Sequence, residues 1–360
     1  MRRVLLVASC LLLLLSGCTN NKEETKIQFA SWGSKTEVEI IKDVIKDFEM
    51  KNPNIKIEFL HIPQNYFQKI HLLFASNTEP DVIFINNQYL PVYANANRLL
   101  PLEFDHTPFD KKAISSLSYN GVNYAIPRDI SLLVIYYNKD LFRKANLAEP
   151  KFDWTFEDFL VTSVEIKKRT GAFGISFEEE PLFFLPYLMS EGGNFLDLSS
   201  KESQKGLNFY LDLRNKFHVA PRKDESASAT MAQMFLQSKI AMHLSGRWLT
   251  PKYTENATFE WDTLPFPSGE KGSIMPLDAS GWAITKNSKH PKEAMAFIEY
   301  LTSKEVNTKF AKTGLIIPAR KDVDFTNKKA YEYELKTAQP TPVTVDYNVV
   351  LDKVKKYLNF

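Results

Sequence analysis

Three strand-like segments separated by two helix-like ones lie between Ile27 and Asn86, and that order leaves few folds open. "KIQFASWG" places Ile27 and Phe29 on one face and stops at Gly33. Thr36 and Glu39 have capping-box spacing, and Val38, Ile41, Ile45 and Phe48 then recur on one helical face until Asn52–Pro53. A second alternating strand follows at Ile55–Phe59, a helix covers Phe67–Ala75, and "PDVIFIN" runs from Pro80 to Asn86. Its centre, Val82–Ile85, is apolar throughout, the signature of a strand buried on both faces. Alternation of this kind predicts an α/β domain with a largely parallel sheet. Such sheets bind ligands beyond the carboxyl ends of their strands, where Trp32–Gly33 and Asn86–Asn87 stand.

The pattern continues through a chain of 360 residues, room for two domains. Asn120–Gly121 between aromatic segments signals a hairpin. "YAIPRDISLLVIYYNKDLF" (Tyr124–Phe142) sets an arginine and an aspartate before a strand over Leu132–Tyr137. Thr155 and Asp158 open a helix that ends at Gly171. A strand in "FGISF", a helix near Pro181–Glu191 and a long helix over Ser203–Phe217 come next. A strand at Ile240–Leu244 runs into "SGRW", and "SGWAITKNSKHPKEAMAFIEYLTS" reads as strand, turn and helix.

The first 26 residues are different. Arg2 and Arg3 precede an apolar run from Val4 to Leu15, too short to span a bilayer as a helix and suited to a secretory leader over residues 1–17. "LSGC" (Leu15–Cys18) resembles a bacterial lipobox, which implies cleavage before Cys18 and a lipid on its sulfur. The polar stretch Thr19–Lys26 then reads as a tether. The two cysteines are Cys10, inside the leader, and Cys18. The exported domain therefore holds no thiol nucleophile, no thiolate metal site and no disulfide. Without Arg2 and Arg3, 43 basic residues face 43 acidic ones, a balance that argues against nucleic acid as a partner.

Signatures of catalysis are missing. The chain has no Gly-x-Ser-x-Gly elbow, no phosphate-binding loop and no dinucleotide fingerprint. Its six histidines lack metal-ligand spacing, so neither metal nor cofactor is expected. What recurs instead is a strand end, a Gly or Pro, an aromatic ring and a charge or amide: Ser31–Gly33, Phe84–Tyr89, Ile126–Asp129, Ser245–Trp248, Ala279–Ala283 and Ile317–Arg320. Flat rings beside planar hydrogen-bonding groups suit the apolar faces and hydroxyl rims of sugars. Trp32, Trp248 and Trp282 sit in these motifs, and at least two of them are expected in a ligand site.

In collinear order over nearly the whole exported chain, these motifs resemble the family 1 extracellular solute-binding proteins, the ligand-capturing lipoproteins of bacterial ABC importers related to maltose-binding protein. The resemblance implies a two-lobed α/β periplasmic-binding-protein fold. Each lobe is a mostly parallel sheet flanked by helices, with a ligand cleft between lobes. It implies an N-lobe of 26–131 plus 282–317 and a C-lobe of 132–281 plus 318–360, with crossings near Asp129–Leu133, Ser280–Ala283 and Ile317–Arg320. Carried over residue by residue, it assigns ligand contacts to Trp32, Gly33, Asp81, Asn86, Asn87, Arg128, Asp129, Gly246, Trp248, Gly281, Trp282 and Arg320. Two departures stand out: Arg247 replaces the family's usual proline in "SGRW" and joins the candidate contacts, and Ser280 replaces a glycine in "SGW". The implied protein is a monomer that makes and breaks no bond. Its partners are a small molecule, the membrane subunits of an importer, and the bilayer through Cys18. Two other readings remain open at this level: Arg128, Arg247 and Arg320 grip a phosphorylated or acidic ligand, or the chain is an exported glycosidase with a carboxylate pair that spacing does not reveal.

Overall fold

In the computed structural model the described residues are 24–226 and 229–358. The leader, Cys18 and most of the tether lie outside them. Among the described residues thirteen strands follow one another: β1 (Thr25–Ser31), β2 (Ile55–His61), β3 (Val82–Asn86), β4 (Ser118–Tyr119), β5 (Val122–Asn123), β6 (Ile126–Ser131), β7 (Leu133–Asn138), β8 (Phe173–Ile175), β9 (Ile240–Gly246), β10 (Trp261–Leu264), β11 (Pro276–Ile284), β12 (Ile317–Pro318) and β13 (Gln339–Pro340). They build a seven-stranded sheet in the order β12-β6-β11-β3-β1-β2, with β13 attached to β11, and a four-stranded sheet in the order β10-β7-β9-β8. β4 and β5 form a separate hairpin whose turn, Asn120–Gly121, is left-handed at both residues.

The first sheet starts as the alternation predicts. β1 pairs in parallel with β2 and with β3, and the helices Lys35–Lys51 and Tyr66–Ser76 connect them. Ile27, Phe29 and Val82–Ile85 are buried, with Ile41, Val44 and Phe48 packed over them. The expectation of mostly parallel sheets is corrected beyond this point. β11 runs antiparallel to both β3 and β6, and β12 is antiparallel to β6. In the second sheet only β8 and β9 are parallel. β11 and β12 enter the first sheet after the chain has visited the second, so no crossover helix dictates their direction.

One cap also differs. Ser34, not Thr36, caps the helix Lys35–Lys51, its Oγ accepting the Glu37 N–H at 3.3 Å. Ser34 and Glu37 have the same three-residue spacing as Thr36 and Glu39, so sequence spacing cannot choose between them. The helix that opens on Thr155 does carry the reciprocal box with Asp158.

The chain passes between the sheets where β6 ends at Ser131 and β7 begins at Leu133. It returns ahead of Pro276, because all of β11, including Ser280–Ala283, is paired within the first sheet. It leaves again after Arg320, which still bridges to Phe109, and the helix Lys329–Thr337 then packs against β7. These three passages depart from adjacent strands, β12, β6 and β11, and the chain comes back once more to lay β13 beside Pro276–Leu277 of β11.

Candidate ligand cleft

The carboxyl ends of β1, β6 and β9 converge on a cavity of about 510 Å³. One wall belongs to the first sheet. Trp32, just past β1, is wedged edge-on against Tyr66 and Phe67 and tilted over Phe84, with ring centroids 5.1–5.5 Å apart. Gly33 follows at φ +137°, and a side chain there would meet the Glu37 carboxyl at 2.8 Å. The facing wall is Trp248, carried on a short 3-10 turn after β9 and 38% exposed. Its indole lies over Gly246, where a Cβ would come within 1.8 Å of the ring. Leu315, Ile316, Pro63, Ser131 and Ser280 close the sides.

The floor is ionic. Arg128 donates from Nε and Nη2 to Asp129 Oδ2 at 2.9 and 2.6 Å, and from Nη1 to Glu37 Oε1 at 2.5 Å. All three side chains are buried. Burial works against the Arg128 charge, but the Asp129 and Glu37 carboxylates outweigh it and hold its pKa above the ordinary value. Burial pushes the Asp129 carboxyl upward, against the pull of Arg128. The guanidinium also lies 4.6 Å from the Phe84 ring centroid, 5.5 Å from Trp282 and 5.4 Å from Phe310. Asp129 Oδ1 makes no hydrogen bond of good geometry among the described residues, and Ser280 is its cross-strand neighbour.

The structure thus gathers Trp32, Gly33, Arg128, Asp129 and Trp248 from the residues singled out in the sequence, with Gly246 directly beneath Trp248. The others line no part of this cavity. Asp81 stands before β3, at the end opposite Asn86, where it accepts from the Gln28 N–H and the Ser288 hydroxyl. Asn86 accepts the Tyr89 N–H in a turn. Asn87 is buried and clasps β11 through Asp278 and the Ala279 N–H. Gly281 admits the Ile126 carbonyl, which a Cβ would meet at 2.2 Å. Trp282 is fully buried between Phe29 and Phe84. Arg320 grips Asp322 with two nitrogens and the Thr302 carbonyl with a third. Arg247 lines no part of the cavity and donates to the Ile316 carbonyl and the Thr326 hydroxyl behind it. Sequence reasoning missed Ser34, Glu37, Pro63, Phe84, Ser131, Leu315 and Ile316. Of these, Phe84 opened one of the recurring motifs without being assigned a contact, and Ser34 and Glu37 left a trace as the overlooked cap and its third residue.

Residues 43–337 match the family model of the bacterial extracellular solute-binding proteins, and the chain belongs to that family. Among its relatives, a maltodextrin-binding protein of Bacillus subtilis is 24% identical, the match covering 94% of this chain and 87% of that one. A multiple sugar-binding protein of Streptococcus mutans is 26% identical over 82% of this chain and 77% of its own length. The fold is shared with a Listeria monocytogenes ABC substrate-binding protein solved with cycloalternan (TM-score 0.85, 23% identity, 94% of both chains). It is also shared with maltose-bound MalE3 of T. maritima (TM-score 0.79, 24% identity, 93% of both chains). Two α/β lobes of the periplasmic-binding type are therefore the architecture of this chain, and its family is extracytoplasmic.

Proposed function

We propose that this chain captures an uncharged saccharide between Trp32 and Trp248 and delivers it to an ABC importer. The observation that carries this reading is the pairing of two partly exposed indoles from different sheets above a cation that is already neutralised. Stacking surfaces are available for sugar faces, and Asp129 and the serines supply hydroxyl partners. An acidic or phosphorylated ligand has little to hold it. Arg128 serves two carboxylates, while Arg247 and Arg320 line no part of the cavity. The cavity lining carries one cation against two acids, which disfavours an anion. The sugar-binding names of the relatives point the same way.

The lobe division that best fits the pairing moves β11 wholly into the first lobe, giving 24–131 with 276–320 in one lobe and the remainder in the other, except that β13 returns to the edge of β11. In this reading the protein is a monomer, catalyses nothing, and is held at the membrane by lipid on Cys18. A calorimetric and thermal-shift panel of mono- and oligosaccharides including maltotriose, beside their phosphorylated and uronic acid analogues, tests it. Binding of a neutral sugar at micromolar Kd with loss on Trp248→Ala is expected. Preference for an acidic analogue, or no stabilisation by any sugar, defeats the proposal.

A further inference from the structure

Arg247 is 2% exposed and has no ion pair among the described residues. Burying a guanidinium without a carboxylate is costly, and a side chain kept for packing alone would more cheaply be apolar. Its bonds suggest what the charge does. Nε donates to the Ile316 carbonyl at 2.9 Å and Nη2 to the Thr326 hydroxyl at 3.1 Å. The guanidinium carbon lies 4.8 Å from the Phe325 ring centroid and 5.5 Å from that of Tyr331. Arg247 follows β9 of the four-stranded sheet, whereas Ile316 leads into β12 of the seven-stranded one. The Ile316 bond therefore joins the two sheets' elements, and Ile316 and Thr326 bracket the last passage between them. The turn that Arg247 opens is held from the other side too. The Tyr136 hydroxyl contacts the Gly246 carbonyl at 3.1 Å, the Thr250 hydroxyl at 2.8 Å and the Tyr331 hydroxyl at 2.9 Å.

We propose that Arg247 is a positioning residue for ligand binding. It clamps the Ile316–Thr326 passage against the turn that carries Trp248, and so fixes where Trp248 stands relative to the passage about which the two walls rotate. It does this without touching the ligand. The proposal rests on the cleft reading above and goes beyond it by assigning affinity to a bond outside the cavity. The guanidinium reaches the two acceptors from two different nitrogens held in one rigid plane, a reach that the single nitrogen of an ammonium group on a flexible stem does not reproduce.

The test measures maltotriose affinity for the full chain in detergent and for its Arg247→Met, Arg247→Lys and Thr326→Val variants. Hydrogen exchange over residues 315–328 is followed in parallel. Arg247→Met is expected to raise Kd at least about tenfold and Thr326→Val about threefold, with the Trp248 emission shifted and the melting temperature little changed. Arg247→Lys, which keeps the charge, should behave like Arg247→Met. Kd values within about twofold of the parent overturn the proposal, as does a loss of affinity that only tracks a loss of stability. If the parent protein binds no sugar in the panel, the carbohydrate reading fails separately. Arg247 is then judged on exchange alone. Faster exchange over 315–328 in Arg247→Lys, at unchanged melting temperature, upholds the clamp, and unchanged exchange overturns it.

Discussion

A single guanidinium at the cleft floor serves two carboxylates at once. Asp129 and Glu37 each take hydrogen bonds from Arg128, and their two negative charges offset the cation, so a ligand anion meets no net positive charge there. Removing one acid leaves a buried charge short of a partner. Asp129→Ala should therefore destabilise the unliganded protein by about 3 kcal/mol, and weaken ligand binding as well. Chemical denaturation of the apo protein measures the first effect. A stability within error of the parent would show that Glu37 alone satisfies the arginine. Gly246 separates binding from folding more cleanly. Its φ of −90° suits any residue, and the three atoms nearest a Cβ there all belong to the Trp248 ring, so Gly246→Ala displaces that ring first. Affinity should fall about tenfold with the melting curve nearly unmoved, as calorimetry and thermal unfolding would report.

Which cleft residues were legible follows from how local their signals are. Trp32 and Trp248 announce themselves by a neighbouring glycine at a strand end, and the structure puts both on the cavity. Trp282 has the same local signature, yet β11 is buried along its whole length, and burial on both faces is invisible without knowing the strand's neighbours. Asp81 stands at the amino end of β3, and the rule that ligands gather at carboxyl ends already argues against it. Glu37 and Arg128 are 91 residues apart, and no spacing links them.

At the scale of elements, the helix Lys329–Thr337 docks through a buried acid. Glu334 accepts the Phe266 N–H and the Ser273 hydroxyl, just ahead of β11. Burial pushes its carboxyl up to about 8, while in the unfolded chain it titrates near its ordinary 4.5. The folded state therefore binds a proton that the unfolded state has lost between those values. Glu334 contributes stability fully below about pH 4.5, and that contribution is lost as pH rises through about 8. The slope is at most about 1.4 kcal/mol per pH unit. Melting temperatures taken from pH 5 to 9 should fall across that range in the parent and fall less in Glu334→Gln. Parallel curves would mean the carboxyl stays ionised. The early strands and helices were readable because each exposes one periodic face. The directions of β11 and β12 were not, because they depend on where the chain has been rather than on any residue in them.

For the whole molecule, the cleft between two lobes implies rotation about the passages that join them. Small-angle scattering should show a smaller radius of gyration on adding a bound oligosaccharide. An unchanged radius would mean that the unliganded protein is already closed. Attachment is separable from this motion. Cells fed a clickable fatty acid should label the parent chain and leave Cys18→Ser unlabelled, and label surviving that substitution would place the anchor elsewhere.

The three passages leave from β12, β6 and β11, which lie side by side in one sheet. Strands bonded in this way behave like the leaves of a laminated spring. They flex together about an axis lying across them and resist shear between neighbours. Each bends only if the others do. The molecule is thereby given one soft mechanical degree of freedom, so a small ligand touching two walls can select a single closed geometry rather than a family of twisted ones.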